Sequence, residues 1–310
     1  MKKIWQILRG HLAQDFRLAR YAVVSLFLGV SLILNYTFDF KDSVLEPLNG
    51  ISGVGAYWLF YALPYYVSVW ICTYKTSTNS PFSQAAFLWR SSFAIFILAL
   101  DDSLPYLSNV IYQLFHPAVS YWALKVAANG ISFITVMLPL LLAYLIFDRG
   151  RGDGYGLTTR RVDLRPYFTL LIIMVPIIIA ASFHESFLRQ YPMYKVTGAH
   201  VHLGVPEWVT VAIYELAYGL DFVTVEYFFR GFLVIGLSTT LGRSGILPMA
   251  ALYCFLHFGK PAGEAMSSIV GGYILGVIAY ETRSIWGGII IHMGIAWSME
   301  LAAFTQKAFN

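Results

Sequence analysis

The stretch Val225-Glu226-Tyr227-Phe228-Phe229-Arg230-Gly231-Phe232-Leu233 sets a carboxylate and a guanidinium four residues apart inside a long apolar run. Charge in hydrocarbon is costly, so an ionisable side chain there marks a functional site by default. Positions four apart share a helix face, and the spacing predicts that Glu226 and Arg230 pair. Self-neutralisation would account for that pair alone. Two further polar stations, His257 and His292, fall on the next apolar runs and argue for one shared site. A carboxylate and two neutral imidazoles are the groups that hold a divalent metal with an open position, or that activate a water directly. At about 100° per residue, Glu215, Phe222, Glu226 and Arg230 form one stripe, and Asp221 lies beside it on the stripe of Val225.

The elements that must position these groups are membrane helices. Of the 310 residues 58% are hydrophobic and 12% charged, and the mean hydropathy is +0.63. Soluble domains carry about 25% charged residues. Apolar runs of roughly spanning length fall at 21–37, 52–74, 84–102, 119–147, 165–183, 207–239, 245–258, 264–281 and 286–305, which predicts an all-α, polytopic bundle of eight or nine spans. The run 207–239 exceeds one crossing and is expected to tilt, kink at Gly219 or divide.

Residues 1–20, with Lys2, Lys3, Arg9, Arg17 and Arg20, read as an amphipathic segment on anionic lipid, followed by a retained signal anchor. Residues 21–204 read as scaffold spans and 205–310 as the core that carries the polar chemistry. Lys75, Arg90, Arg149, Arg151, Arg160, Arg161, Arg165, Arg243 and Arg283 fall on the side of the N-terminus. Asp39, Asp42, Glu46, Asp101 and Asp102 fall opposite. The basic side is expected to be cytoplasmic, in an inner (plasma) membrane.

The polar loop from His184 to Glu207 contains His200 and His202, whose alternation would suit a metal at a strand edge or simply a solvated loop. Cys72 and Cys254 read as neither disulfide nor metal ligand. The net charge of +4 is spread over loops, with no basic run interleaved with aromatics, which argues against nucleic acid. Membrane lipid and a peptide or protein substrate are the expected partners.

Over roughly residues 205–300 the chain resembles the CAAX-protease and bacteriocin-processing family of intramembrane proteases. The family's Glu-Glu-x-x-x-Arg motif is matched by Val225-Glu226-Tyr-Phe-Phe-Arg230, its Phe-x-x-x-His motif by Tyr253-Cys-Phe-Leu-His257, and its His-x-x-x-Asn motif by His292-Met-Gly-Ile-Ala296. The segment from Gly276 to Trp286 looks like the family's glycine-rich span and tight turn. The resemblance implies about eight helices around a water-filled cavity, with the motif glutamate and both histidines around one water, and with a divalent metal such as zinc as a candidate cofactor held by Glu226, His257 and His292. It implies a peptidase with Glu226, Arg230, His257 and His292 as site residues. Val225 departs from the water-activating glutamate, which leaves Glu226 or Asp221 as substitutes. Ala296 departs from the polar residue that assists the second histidine. Those departures open a second reading, a catalytically inactive scaffold or immunity-type binding protein. Buried Glu226, Arg230 and histidines would also serve an ion-coupled transporter, although the paired broken spans and repeated halves of many carriers are missing.

Overall fold

The structure, a computed structural model, describes residues 2–48, 50–74, 79–104, 107–158 and 163–309. Lys75, Arg160 and Arg161 lie outside the described residues. The N-terminal half runs α1 (Lys2–Asp15), α2 (Leu18–Phe38), α3 (Gly50–Thr73), α4 (Ala85–Ser103), α5 (Leu107–Leu114), α6 (Pro117–Ser132) and α7 (Leu138–Ala143). The rest runs α8 (Arg165–Ala181), α9 (Glu185–Gln190), α10 (Ala199–Leu203), α11 (Glu207–Glu226), α12 (Ser238–Leu241), α13 (Ile246–Leu256), α14 (Ala262–Thr282) and α15 (Trp286–Phe309). The fold is an all-α polytopic bundle, and each of the nine apolar runs is helical.

The apolar runs differ in length and apolarity. Among the described residues five helical stretches are long and apolar enough to span: Leu18–Phe38, Pro117–Arg151, Glu207–Gly236, Ala262–Thr282 and Trp286–Phe309. Ala85–Ser103 with Leu107–Leu114 makes a sixth if the bent pair is one span. The other runs fall short for physical reasons. In α3, Tyr57, Tyr61, Tyr65, Tyr66, Trp58, Trp70 and Pro64 dilute the aliphatic content. Arg165–Ala181 is 17 residues long. Helix α13 is 11 residues long, apolar on every side and buried from Ile246 to Phe255, which is the pattern of a helix enclosed by protein. It lies between α3 and α14, while α11 packs on α6 and α15, and α8 on α15.

Helix α11 does not kink at Gly219. That glycine is helical and faces the Trp297 ring, where an added Cβ would lie 2.5 Å from Cζ2. The change comes at Glu226, beyond which Tyr227–Gly236 is a π-helix and wholly buried. Such wide turns are rare and concentrate at functional sites. The predicted clustering of loop charge also takes shape at one end of the bundle. Arg151 and Arg283 both meet Asp153, at 3.4 and 2.8 Å, and Arg243 meets Glu281 at 3.1 Å. Helix α1 joins this end through His11 and Glu281. His200 and His202 sit on the short helix α10, not at a strand edge. Cys72 and Cys254 are buried and form no disulfide among the described residues.

Candidate functional site

Three elements converge on Glu226. It is the last residue of α11, Arg230 follows one turn later in the π-helix, and His292 comes from α15. The Glu226 and Arg230 side chains are fully buried, with Arg230 Nη1 2.9 Å from Glu226 Oε1. The same oxygen lies 3.2 Å from His292 Nδ1. A carboxylate beside Nδ1 takes the ring N–H, which fixes the tautomer: His292 carries its proton on Nδ1 and a lone pair on Nε2. The other oxygen, Oε2, has no hydrogen-bond partner among the described residues and faces Gly288 of α15, where a Cβ would stand 2.2 Å away.

Tyr253 of α13 completes the arrangement. Its hydroxyl lies 3.0 Å from His292 Nε2. The Arg230 guanidinium lies over its ring, 4.5 Å from the centroid, a position stabilised by the ring's quadrupole. Laid over the ring, Arg230 is paired with Glu226 by proximity but not by aligned hydrogen bonds, and Nε, Nη1 and Nη2 are all buried without a hydrogen-bond partner among the described residues. Unspent donors in a buried site are costly, and their chemical use is to meet an acceptor.

His257 is placed by the way α13 ends. Gly259 turns the chain with φ +85°, Lys260 N donates to His257 O, and Pro261 precedes α14. The last turn of a helix leaves carbonyls without amide partners. His257 Nδ1 donates to one of them, Tyr253 O, at 2.9 Å. Nδ1 is therefore protonated, and Nε2 of His257 keeps its lone pair. The Tyr253 and His257 rings meet edge to face, with centroids 4.5 Å apart. Below the turn opens a polar cleft of about 370 Å³ whose lining includes Asp39, Asp42, Arg189 and Lys260.

The structure thus joins Glu226, Arg230 and His292 directly and brings in His257 through Tyr253. It does not bring in Asp221, which accepts from Ser132 Oγ of α6 at 2.6 Å, on the face of α11 turned away from α15. Val225 packs as a half-buried hydrophobic against the main core. Glu215, on the sequence stripe with Glu226, sits about three α-helical turns away, near Glu300. Ala296 is buried in the cluster of Tyr194, Tyr214, Tyr218 and Phe222. Sequence reasoning treated Tyr253 as the aromatic of a motif. Its hydroxyl was the available signal, since a buried tyrosine hydroxyl needs a partner.

The expected metal ligands do not form a donor set. Both ring nitrogens of His292 are in hydrogen bonds, one Glu226 oxygen is shared by Arg230 and His292, and the other is walled by Gly288. Among the described residues no three His, Cys, Asp or Glu side chains are grouped to hold a metal ion.

No curated protein and no solved structure matches the chain. Residues 207–298, the segment that carries Glu226, Arg230, Tyr253, His257 and His292, match the family model described as Rce1-like, type II CAAX prenyl endopeptidase. Over this site-bearing segment, less than half of the chain, the match bears out the resemblance to the CAAX-protease and bacteriocin-processing family, and together with the apolar helices it marks a CAAX protease-like membrane protein.

Proposed function

We propose that the chain is an intramembrane peptidase that hydrolyses peptide bonds at the membrane, with His257 as the base that meets water. The observation that carries this reading is the pairing of tautomers. His257 donates from Nδ1 to the Tyr253 carbonyl and presents a basic Nε2 beside a buried Glu226–His292 pair. Glu226 is too enclosed to touch water, so its carboxylate acts by orienting His292. In hydrolysis, His257 Nε2 takes a proton from water as the oxygen adds to the peptide carbonyl carbon. The C–N bond then breaks, and the amine leaves with the proton that His257 returns. Arg230, as enclosed as Glu226, acts through that carboxylate by holding it in place.

The test is cleavage of a quenched fluorescent peptide library, and of single-span membrane proteins, by purified protein in proteoliposomes. Wild type is expected to cleave. His257→Ala is expected to lose about 100- to 10,000-fold, the range for removal of a general base, and Glu226→Gln and Arg230→Gln to lose activity while remaining inserted. Cleavage that survives His257→Ala would overturn the assignment.

A second reading is favoured by Val225 in the core and Ala296 in an apolar cluster. These two side chains supply no polar chemistry, and a binding protein with the same buried centre needs none. No cleavage by wild type of any peptide or membrane substrate would move the function to that non-catalytic role.

A further inference from the structure

Tyr253 touches Arg230, His257 and His292, and its ring is held on several sides. Gly272 of α14 floors it, with room for no Cβ, which would lie 2.9 Å from Tyr253 Cδ1. Arg230 covers the ring at 4.5 Å, Phe229 meets it edge-on with centroids 4.9 Å apart, and His257 does the same at 4.5 Å. A ring so enclosed has one rotamer available, so its hydroxyl has one direction, toward His292 Nε2 at 3.0 Å.

We propose that Tyr253 is a positioning residue that holds the orientation of His292 in the tautomer that Glu226 fixes. The hydroxyl has a proton to donate, and Nε2 of His292 is the lone pair that Glu226 leaves by holding the Nδ1 proton. The chain Glu226–His292–Tyr253 is therefore directional: Nδ1–H donates to the carboxylate, and the phenol O–H donates to Nε2. Exchanging the tautomer would put a proton on Nε2, facing a hydroxyl that would then have to reverse, and would set the Nδ1 lone pair against the Glu226 carboxylate. The Glu226 carboxylate, which can only accept, excludes the alternative tautomer, and the Tyr253 hydroxyl holds the ring at the Nε2 that remains. The Tyr253 carbonyl does for His257 what its hydroxyl does for His292, since it accepts from Nδ1 at 2.9 Å. The two functions separate by mutation: phenylalanine removes the hydroxyl and keeps the carbonyl.

This assignment builds on the peptidase reading for its catalytic consequence but not for its structural content, and one experiment resolves the two. Protein labelled with 15N-histidine, in detergent micelles, is compared as wild type, as Tyr253→Phe and with 3-fluorotyrosine at position 253. His257→Ala and His292→Ala assign the signals. In wild type both histidines are expected as Nδ1–H tautomers, with His292 Nε2 shifted upfield from a free pyridine-type nitrogen by its hydrogen bond. Tyr253→Phe is expected to move the His292 Nε2 resonance downfield and leave that of His257 in place. Fluorotyrosine, a stronger donor, is expected to move it further upfield. In the cleavage assay Tyr253→Phe is expected to lower kcat by about 10- to 100-fold with KM little changed, the size usual for loss of a group that orients a functional histidine.

An unchanged His292 signal in Tyr253→Phe overturns the inference, and so does a collapse of both histidine signals, which would mean that the ring only fills space. The predicted shift in a protein that cleaves nothing would retain Tyr253 as the positioning residue and defeat the peptidase reading alone.

Discussion

Glu226 and Arg230 form a fully buried pair, and their cost decides what single substitutions do. Removing one partner strands the other charge in a dry site, which costs about 3–5 kcal/mol, whereas replacing both by apolar groups of similar volume is often neutral. Glu226→Leu and Arg230→Met are therefore each expected to destabilise the protein by about that amount, and the double variant to recover most of it. Unfolding by SDS titration from mixed micelles reads all three. Additive losses in the double variant would show that the two charges are solvated separately. The identity of this pair was legible from its spacing in an apolar run. The third partner was not: His292 lies 66 residues further on, and nothing local fixes which face of α15 meets α11. The failure of Asp221 as a substitute base has the same origin. Its helical angle relative to Val225 is set by sequence, but its engagement with Ser132 of α6 depends on which neighbour packs there.

At the scale of elements, the contact of α11 with α15 is made possible by an absent side chain. Gly288 lets α15 come close enough for His292, one turn later, to reach Glu226, and a Cβ there would stand 2.2 Å from Oε2. The glycine-rich character of this region is visible in the sequence, but its use as a wall for a carboxylate is a matter of packing. Gly288→Ala is expected to displace the carboxylate, since an end of a side chain yields before a helix backbone does. The price is separation from His292 plus overpacking of about 1–3 kcal/mol. The His292 Nδ1 signal should lose its carboxylate partner, and the SDS midpoint should fall, while Gly271→Ala, at an exposed site with nothing within 4 Å of the added Cβ, should leave both unchanged. A His292 spectrum identical to wild type in Gly288→Ala would mean that α15 shifts as a body instead. The π-helix Tyr227–Gly236 is a second feature outside the reach of pattern reading, because its residues are apolar throughout and no periodicity separates a wide turn from an ordinary one. Helix α13 was legible as an apolar run but not as a helix enclosed by protein: its 11 residues are read correctly only when α3 and α14 are seen on either side.

Over the whole molecule, the N-terminal segment is expected from its charges to lie on lipid, and its structure gives it a further role as a clasp. Helix α1 packs on α14, Tyr21 and Tyr273 share a hydrogen bond of 2.7 Å, and His11 is buried with Nδ1 3.5 Å from Glu281 Oε1 and Nε2 without a partner. Burial holds the His11 pKa below its ordinary 6.5, against the opposing pull of Glu281 and Asp15 and with a smaller push from Arg243. The sign follows from where the proton binds more readily. Undocked, His11 takes a proton near 6.5; docked, it resists until lower pH. Its contribution to docking is therefore complete above 6.5 and declines as pH falls below it, by at most about 1.4 kcal/mol per pH unit. Distances between spin labels on exposed positions of α1 and α14, measured by double electron–electron resonance one unit either side of 6.5, should lengthen or broaden on the acid side in wild type. His11→Gln cannot titrate and should give the same distribution at both pH values. A wild-type distribution that does not change, or an acid response that persists in His11→Gln, would assign the clasp to Asp15, Glu281 and Arg243 alone. The clasp ties the first helix to α14, whose Gly272 seats Tyr253, so its release at low pH is also expected to loosen the floor on which the site rests.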